Sequence, residues 1–301
     1  MKMTNYLWNT LKGIAMGAAD VVPGVSGGTI AFMTGIYEEL ITSIKSLDHR
    51  SLALLIKGEF KNFWGYVNGN FLLAVFSGVL LSILTLARLM EFLLVNYPVF
   101  IWSFFFGLIM ASAIFIIKKI EGWKFSLYIT FLGGIVFAVW ISLMSPSDSS
   151  DQLWTVLISG MIAICAMILP GISGSFILLL LGKYEFMMSA IKNFDFTVIL
   201  VFGTGAVVGL ILFSHILSWL LKRFYYQTIT LLAGFMTGSL VKVWPWKLTS
   251  TSYEGIDYPV FPGIYENTTG LDSFFGYALF FVIVGFSLVF VIEFIAKSMK
   301  K

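Results

Sequence analysis

Six times along 301 residues the chain runs for about 20 residues with scarcely a charge, roughly over 71–95, 99–117, 125–144, 196–221, 228–244 and 274–296. A helix needs about that length to cross the hydrocarbon core of a bilayer, where its backbone polar groups must be satisfied within the segment. Charged residues make up 12% of the chain, about half the share in soluble domains, and the mean hydropathy is +0.92, so a fold in water is excluded. The chain reads as an all-α polytopic membrane protein with six full transmembrane helices.

Two further apolar regions, about 10–44 and about 153–191, are broken. Asp20, Pro23, Gly24, Gly27 and Gly28 interrupt the first; Pro170, Gly171 and Gly174 interrupt the second. Each reads as a re-entrant hairpin of two short helices, with two full crossings as the other reading. Broken backbone survives at membrane depth only where protein or a polar cavity satisfies it.

The two regions are related. Residues 19–45 align without a gap on 166–192, and eleven positions are identical, among them Pro23/Pro170, Gly24/Gly171, Ser26/Ser173, Gly27/Gly174, Tyr37/Tyr184 and Glu38/Glu185. Hydrophobic composition alone does not generate matches of those residue types. Downstream, Gly78 pairs with Gly205 and Gly107 with Gly234. Three unbroken spans and one even-numbered broken region separate the copies, so the second half is expected to be inverted. Residues 1–144 and 145–301 then form inverted-topology repeats within one membrane domain, the plan of many secondary transporters.

Loop charge sets the orientation. Lys45, Arg50, Lys57 and Lys61, then Lys118, Lys119 and Lys124, then Lys222 and Arg223, then Lys297, Lys300 and Lys301 fall on one side. Asp148 and Asp151, and later Glu254, Asp257, Glu266 and Asp272, fall on the other. Lys/Arg-rich loops stay in the cytoplasm, so both termini are expected there. Residues 46–66 read as one amphipathic helix on that surface. The polar start MKMTNYLWNTLKG and the interruptions at Asp20 and Pro23 do not fit a cleavable signal. A net charge of +3 is too weak to suggest nucleic acid as a partner. With Cys165 alone and His49 far from His215, no metal or other cofactor is expected.

The broken regions carry the chemistry. Proline lacks an N–H and turns the preceding residue out of helical geometry, so the first helices should end near Val22 and Leu169. New helices should start at Ser26 and Ser173, good capping residues. Free N–H groups and the positive dipole end at such a start attract anions. The candidate phosphate-binding residues are Gly24, Ser26, Gly27, Gly28, Thr29, Gly171, Ser173, Gly174 and Ser175, joined by Arg88 within a span. Small residues serving only close helix packing are the competing reading, as is an Arg88–Glu91 pair. Asp20, Glu38 and Glu185 are candidates to carry a coupling proton or sodium ion, and the glutamates serve equally as shared structural hydrogen-bonding groups. The Gly-x-Ser-Gly pattern also matches rhomboid-like serine proteases, with His215 the only buried base to serve it.

The segment GAADVVPGVSGGTIAFMTGIYEELI (17–41) and its looser copy PGISGS (170–175) resemble the PopT-type undecaprenyl-phosphate translocases, a bacterial membrane family. In the second copy Met167 and Phe176 stand in place of Asp20 and Thr29. The resemblance covers the order of spans and implies a lipid transporter rather than an enzyme. It would return undecaprenyl phosphate from the outer to the cytoplasmic leaflet of the bacterial inner membrane, with the phosphate at the two motifs. Membrane lipids are the other expected partners. A monomer holds both halves of the site, and a homo-oligomer stays open. A carrier of a small soluble anion shares every feature except a lateral opening for the lipid tail.

Overall fold

The computed structural model describes residues 3–21, 25–118, 120–146, 150–249 and 257–298. Expectations that rest on Val22, Pro23, Gly24, Lys119, Asp148, Glu254, Lys300 and Lys301 lie outside the described residues.

The first broken region folds as α1 (Met3–Asp20), α2 (Gly27–Met33) and α3 (Tyr37–Lys45). Two short helices follow, α4 (His49–Ile56) and α5 (Phe60–Tyr66), then the long α6 (Gly69–Asn96), α7 (Pro98–Lys118) and α8 (Phe125–Ser142). The second half repeats the series with α9 (Leu153–Ile168), α10 (Gly174–Leu180), α11 (Tyr184–Lys192), α12 (Phe196–Arg223) and α13 (Tyr225–Ser239). A three-residue hairpin pairs β1 (Lys247–Thr249) with β2 (Asp257–Pro259), and α14 (Pro262–Thr269) and α15 (Phe275–Ser298) complete the chain.

Three counterpart pairs agree in length: α2 and α10 have 7 residues each, α3 and α11 have 9, and α6 and α12 have 28. Packing partners correspond as well. α1 lies on α6 as α9 lies on α12, and α7 lies on α15 as α13 lies on α8. α2 folds back against α1, and α10 against α9.

Among the described residues four helices are long and apolar enough to cross a membrane, within α6, α7, α8 and α12. The bent pair α10–α11, turned by 108°, makes a fifth if counted as one span. The expected 228–244 span is shorter as a helix. α13 stops at Ser239 and the apolar run continues as a turn through 240–243, where Val243 is buried. Hydropathy registers burial, and a buried turn scores as well as a helix. The single amphipathic helix expected over 46–66 is likewise two, because Gly58 adopts φ +73 between α4 and α5. Leu52, Ile56, Phe60 and Trp64 on those two helices remain exposed.

Glycine sets the helix spacing. A Cβ on Gly78 would lie 2.2 Å from the Thr10 carbonyl oxygen, and one on Gly205 only 2.1 Å from that of Leu157, so the two positions matched in the sequence do the same work in α1–α6 and α9–α12. Along the first pair Gly13 meets Val75 and Gly17 meets Val79, so α1 and α6 run parallel. In α7–α15 and α8–α13 the tight contacts fall at Gly107 and Gly234, the second matched pair. Gly205→Ala should therefore destabilise the protein by about 1–3 kcal/mol, since backbone rather than a flexible side chain must move. Gly203→Ala, with nothing within 4 Å of the added methyl, is the control and should be neutral or slightly stabilising. Unfolding midpoints in detergent compare the two.

Candidate functional site

At the first break α1 ends at Asp20 and α2 begins at Gly27, with Ser26 at the N-cap. The Ser26 Oγ accepts from the Gly28 N–H at 3.0 Å, the expected cap. The Gly27 N–H donates to Asp20 Oδ1 at 2.6 Å. A carboxylate of the chain itself therefore sits where an incoming oxyanion was expected.

The second break differs. α9 ends at Ile168 and Ser173 takes the N-cap of α10, but its hydroxyl pairs with that of Ser175 at 2.9 Å and no side chain caps the helix. Met167 in place of Asp20 supplies no acceptor there. Gly171 has φ +87, and a Cβ on it would lie 2.8 Å from the Phe235 carbonyl oxygen, so only glycine fits.

The fold brings the two breaks together. Ser26 Oγ donates to the Met167 carbonyl oxygen at 2.8 Å, and the Gly171 N–H donates to Thr29 Oγ1 at 3.0 Å. A Cβ on Gly28 would lie 2.4 Å from the Ile168 carbonyl oxygen. Ser26, Gly27, Gly28, Thr29, Gly171, Ser173 and Gly174 are all buried, with Ser175 half-buried beside them. Sites more than 140 residues apart in the chain thus form one polar junction.

The remaining candidates lie elsewhere. Arg88 is exposed on α6 and makes neither a hydrogen bond nor an ion pair among the described residues, so its partnership with Glu91 is not formed. Glu38 is exposed and accepts from the Tyr225 hydroxyl at 3.0 Å. Glu185 is exposed without a side-chain partner among the described residues. His215 bonds through Nδ1 to the Ile211 carbonyl oxygen of its own helix at 2.8 Å, and neither serine hydroxyl engages it.

Two cavities lie against the short helices α2 and α10. One of about 450 Å³ is lined by Phe32, Tyr37, Glu38, Glu39, Phe115 and Tyr225, where the α2–α3 turn meets the ends of α7 and α13. The Tyr37 hydroxyl is buried and has no hydrogen-bond partner among the described residues. The other, beside Gly171, Ser173 and Phe176, is about 10 Å³, the lower limit for one water.

Lys242 also lines that small cavity, with its ammonium 4.1 Å from the centre of the Phe176 ring. Sequence reasoning passed over it, although an ionisable residue inside the 228–244 run was signal enough. Beyond the spans, the Lys247 ammonium stands 3.5 Å from the centre of Trp102. Burial pushes Lys247 down to about 7, with Lys242 acting in the same direction and Asp257 opposing. Lys183 was also missed. It is fully buried and ties the α10–α11 turn to Asp151 at 2.6 Å.

Long apolar helices arranged around a buried polar junction make this a multi-pass membrane protein with the build of a transporter. The chain belongs to the undecaprenyl phosphate translocase-like family, whose profile matches residues 16–256. It is 51% identical over 248 residues to a polyprenyl-phosphate transporter of Vibrio cholerae serotype O1, covering 82% of this chain and 80% of that protein. A polyprenyl-phosphate transporter of Staphylococcus aureus is 36% identical over 263 residues, covering 81% of this chain and 88% of that protein. No solved structure matches the chain significantly.

Proposed function

We propose that the protein carries undecaprenyl phosphate from the outer to the cytoplasmic leaflet of the bacterial inner membrane, by alternating access around the joined breaks. The observation that carries this reading is the junction itself, Ser26 to Met167 and Gly171 to Thr29, which puts two glycine-lined helix starts at one buried point. Both named relatives are polyprenyl-phosphate transporters, which supplies the substrate class.

The matching order and pairing of helices in the two halves support this mechanism through an inverted repeat. α2 has 7 residues and so rises about 10 Å, a third of the hydrocarbon core, which favours re-entrant hairpins over crossings. α1 and α6 run parallel, as a hairpin between them requires, and in this reading α6, α7, α8, α12, α13 and α15 complete the bundle with both termini in the cytoplasm. With the termini in the cytoplasm the 450 Å³ cavity falls in the cytoplasmic half, which supports reading this conformation as the inward-facing one.

In the proposed cycle the phosphate head takes over hydrogen bonds that the breaks make to each other. The hydroxyl proton of Ser26 is engaged with Met167, and Thr29 accepts from Gly171. Parting the breaks frees both groups to meet the head, opposite Ser173, Gly174 and Ser175. Arg88, exposed on α6, is placed to meet it at the outer surface, and the prenyl tail stays in lipid. Asp20 carries the coupling ion, with Glu38 and Glu185 the secondary candidates, and no cofactor takes part.

The test is movement of undecaprenyl phosphate across proteoliposome membranes containing the purified protein, with inorganic phosphate as competitor. Protein-dependent movement that excess inorganic phosphate barely inhibits is expected. Uptake of inorganic phosphate without lipid movement would instead favour a soluble-anion carrier.

A further inference from the structure

We propose that Lys242 and Lys247 form a capture site for a phosphomonoester dianion beside the second break, through which the head reaches the junction. Lys242 lies in the turn after α13 and shares the small cavity with Gly171 and Ser173. Its ammonium rests on the face of Phe176 of α10, and that of Lys247 on the face of Trp102 of α7. Ring faces hold a cation by their quadrupole while leaving its N–H groups available. Among the described residues neither ammonium makes a hydrogen bond or an ion pair, and the carboxylate of Asp257 acts on both only at longer range. Two half-buried ammonium groups that repel each other, with no counter-ion against them among the described residues, are costly to keep charged, and an anion of charge near −2 would satisfy both.

The opposite end of the protein has the complementary chemistry. Continuing the match of Gly107 with Gly234 sets Lys242 against Phe115, which lines the large cavity with Glu38 and Glu39. An anion is therefore attracted at one end and repelled by carboxylates at the other, which favours capture outside and release inside. The site rests on the proposed transport of a lipid phosphate, and the experiment separates the two.

Binding of farnesyl phosphate, farnesol and inorganic phosphate to the full-length protein in nanodiscs is measured by calorimetry. Lys242→Gln and Lys247→Gln should each weaken farnesyl phosphate by about tenfold or more, the usual effect of losing a charged hydrogen bond. Lys242→Arg should keep most of the affinity, and Lys222→Gln should change nothing. In the unaltered protein, farnesyl phosphate should shield Lys242 and Lys247 from reductive methylation read by mass spectrometry, a result that holds even if a variant fails to fold. Folded Gln variants that bind as the parent does, or absence of shielding, overturn the site while leaving the lipid reading intact. Lysine-dependent binding of inorganic phosphate, with farnesyl phosphate bound no better, keeps the site and overturns the lipid. Binding of neither phosphate overturns both.

Discussion

Asp20→Asn should leave the fold intact and abolish accumulation of substrate against its gradient, while downhill exchange persists. The structural half of this expectation follows from the cap. Asp20 Oδ1 accepts the Gly27 N–H at 2.6 Å, and an asparagine Oδ1 can accept the same proton. Asparagine therefore keeps the Gly27 N–H paired, whereas alanine leaves this buried donor unpaired at a cost of about 1–3 kcal/mol. The functional half follows from charge. Two like unit charges 4 Å apart interact by about 4 kcal/mol at an effective dielectric constant of 20, near a thousandfold in affinity. In the proposed cycle a phosphate head would thus settle against the first break only once a proton or a cation neutralises Asp20. Because Met167 holds the matching place in the second half, this requirement applies to one break alone. Asparagine mimics the neutralised acid permanently, so the dependence on pH or sodium should flatten. Asp20→Ala should in addition lower the unfolding midpoint. The assay is movement of the lipid phosphate under imposed proton or sodium gradients, with thermal unfolding alongside. If Asp20→Asn keeps the full ion dependence of the parent, the cap is the whole role of Asp20 and another acid couples.

What the sequence discloses here depends on whether a signal is local. Proline, glycine and serine act on their own neighbours, and the starts of α2 and α10 after Ser26 and Ser173 fall where those residues put them. The ends of α1 and α9, at Asp20 and Ile168, lie within two residues of the expected ones. Contacts set by folding were invisible. The use of Asp20 as a cap needs α2 to turn back on α1, and the bonds of Ser26 and Thr29 join residues 141 and 142 positions apart. Arg88 drew attention because it is a charge in an apolar run, yet α6 is apolar nearly all round, and such a pattern does not say which way one side chain points. Lys242 was obscured for the opposite reason, since its apolar neighbours suggested a helix that had already ended at Ser239.

Thr29→Val should cost both stability and transport, and Thr29→Ser should recover both. Valine matches threonine in shape, so the packing around α2 is preserved and the change is confined to one oxygen. That oxygen accepts the Gly171 N–H at 3.0 Å in a site where both residues are buried. The backbone at Gly171 is held at φ +87 against Phe235 and Met236, so its N–H cannot turn toward another acceptor. Leaving a buried donor unpaired costs about 1–3 kcal/mol, which should lower the unfolding midpoint measurably. Serine restores the acceptor and loses only a methyl group, at about 1 kcal/mol or less. Transport separates a tie from a contact with substrate. If the Thr29 hydroxyl passes from Gly171 to the phosphate head as the breaks part, valine should slow lipid movement per folded molecule by about tenfold or more. A merely structural tie would weaken the closed junction and leave the rate per folded molecule unchanged or raised. Normalising the rate to folded protein, and comparing valine with serine, distinguishes these outcomes, and an undiminished rate for Thr29→Val would remove Thr29 from the phosphate site.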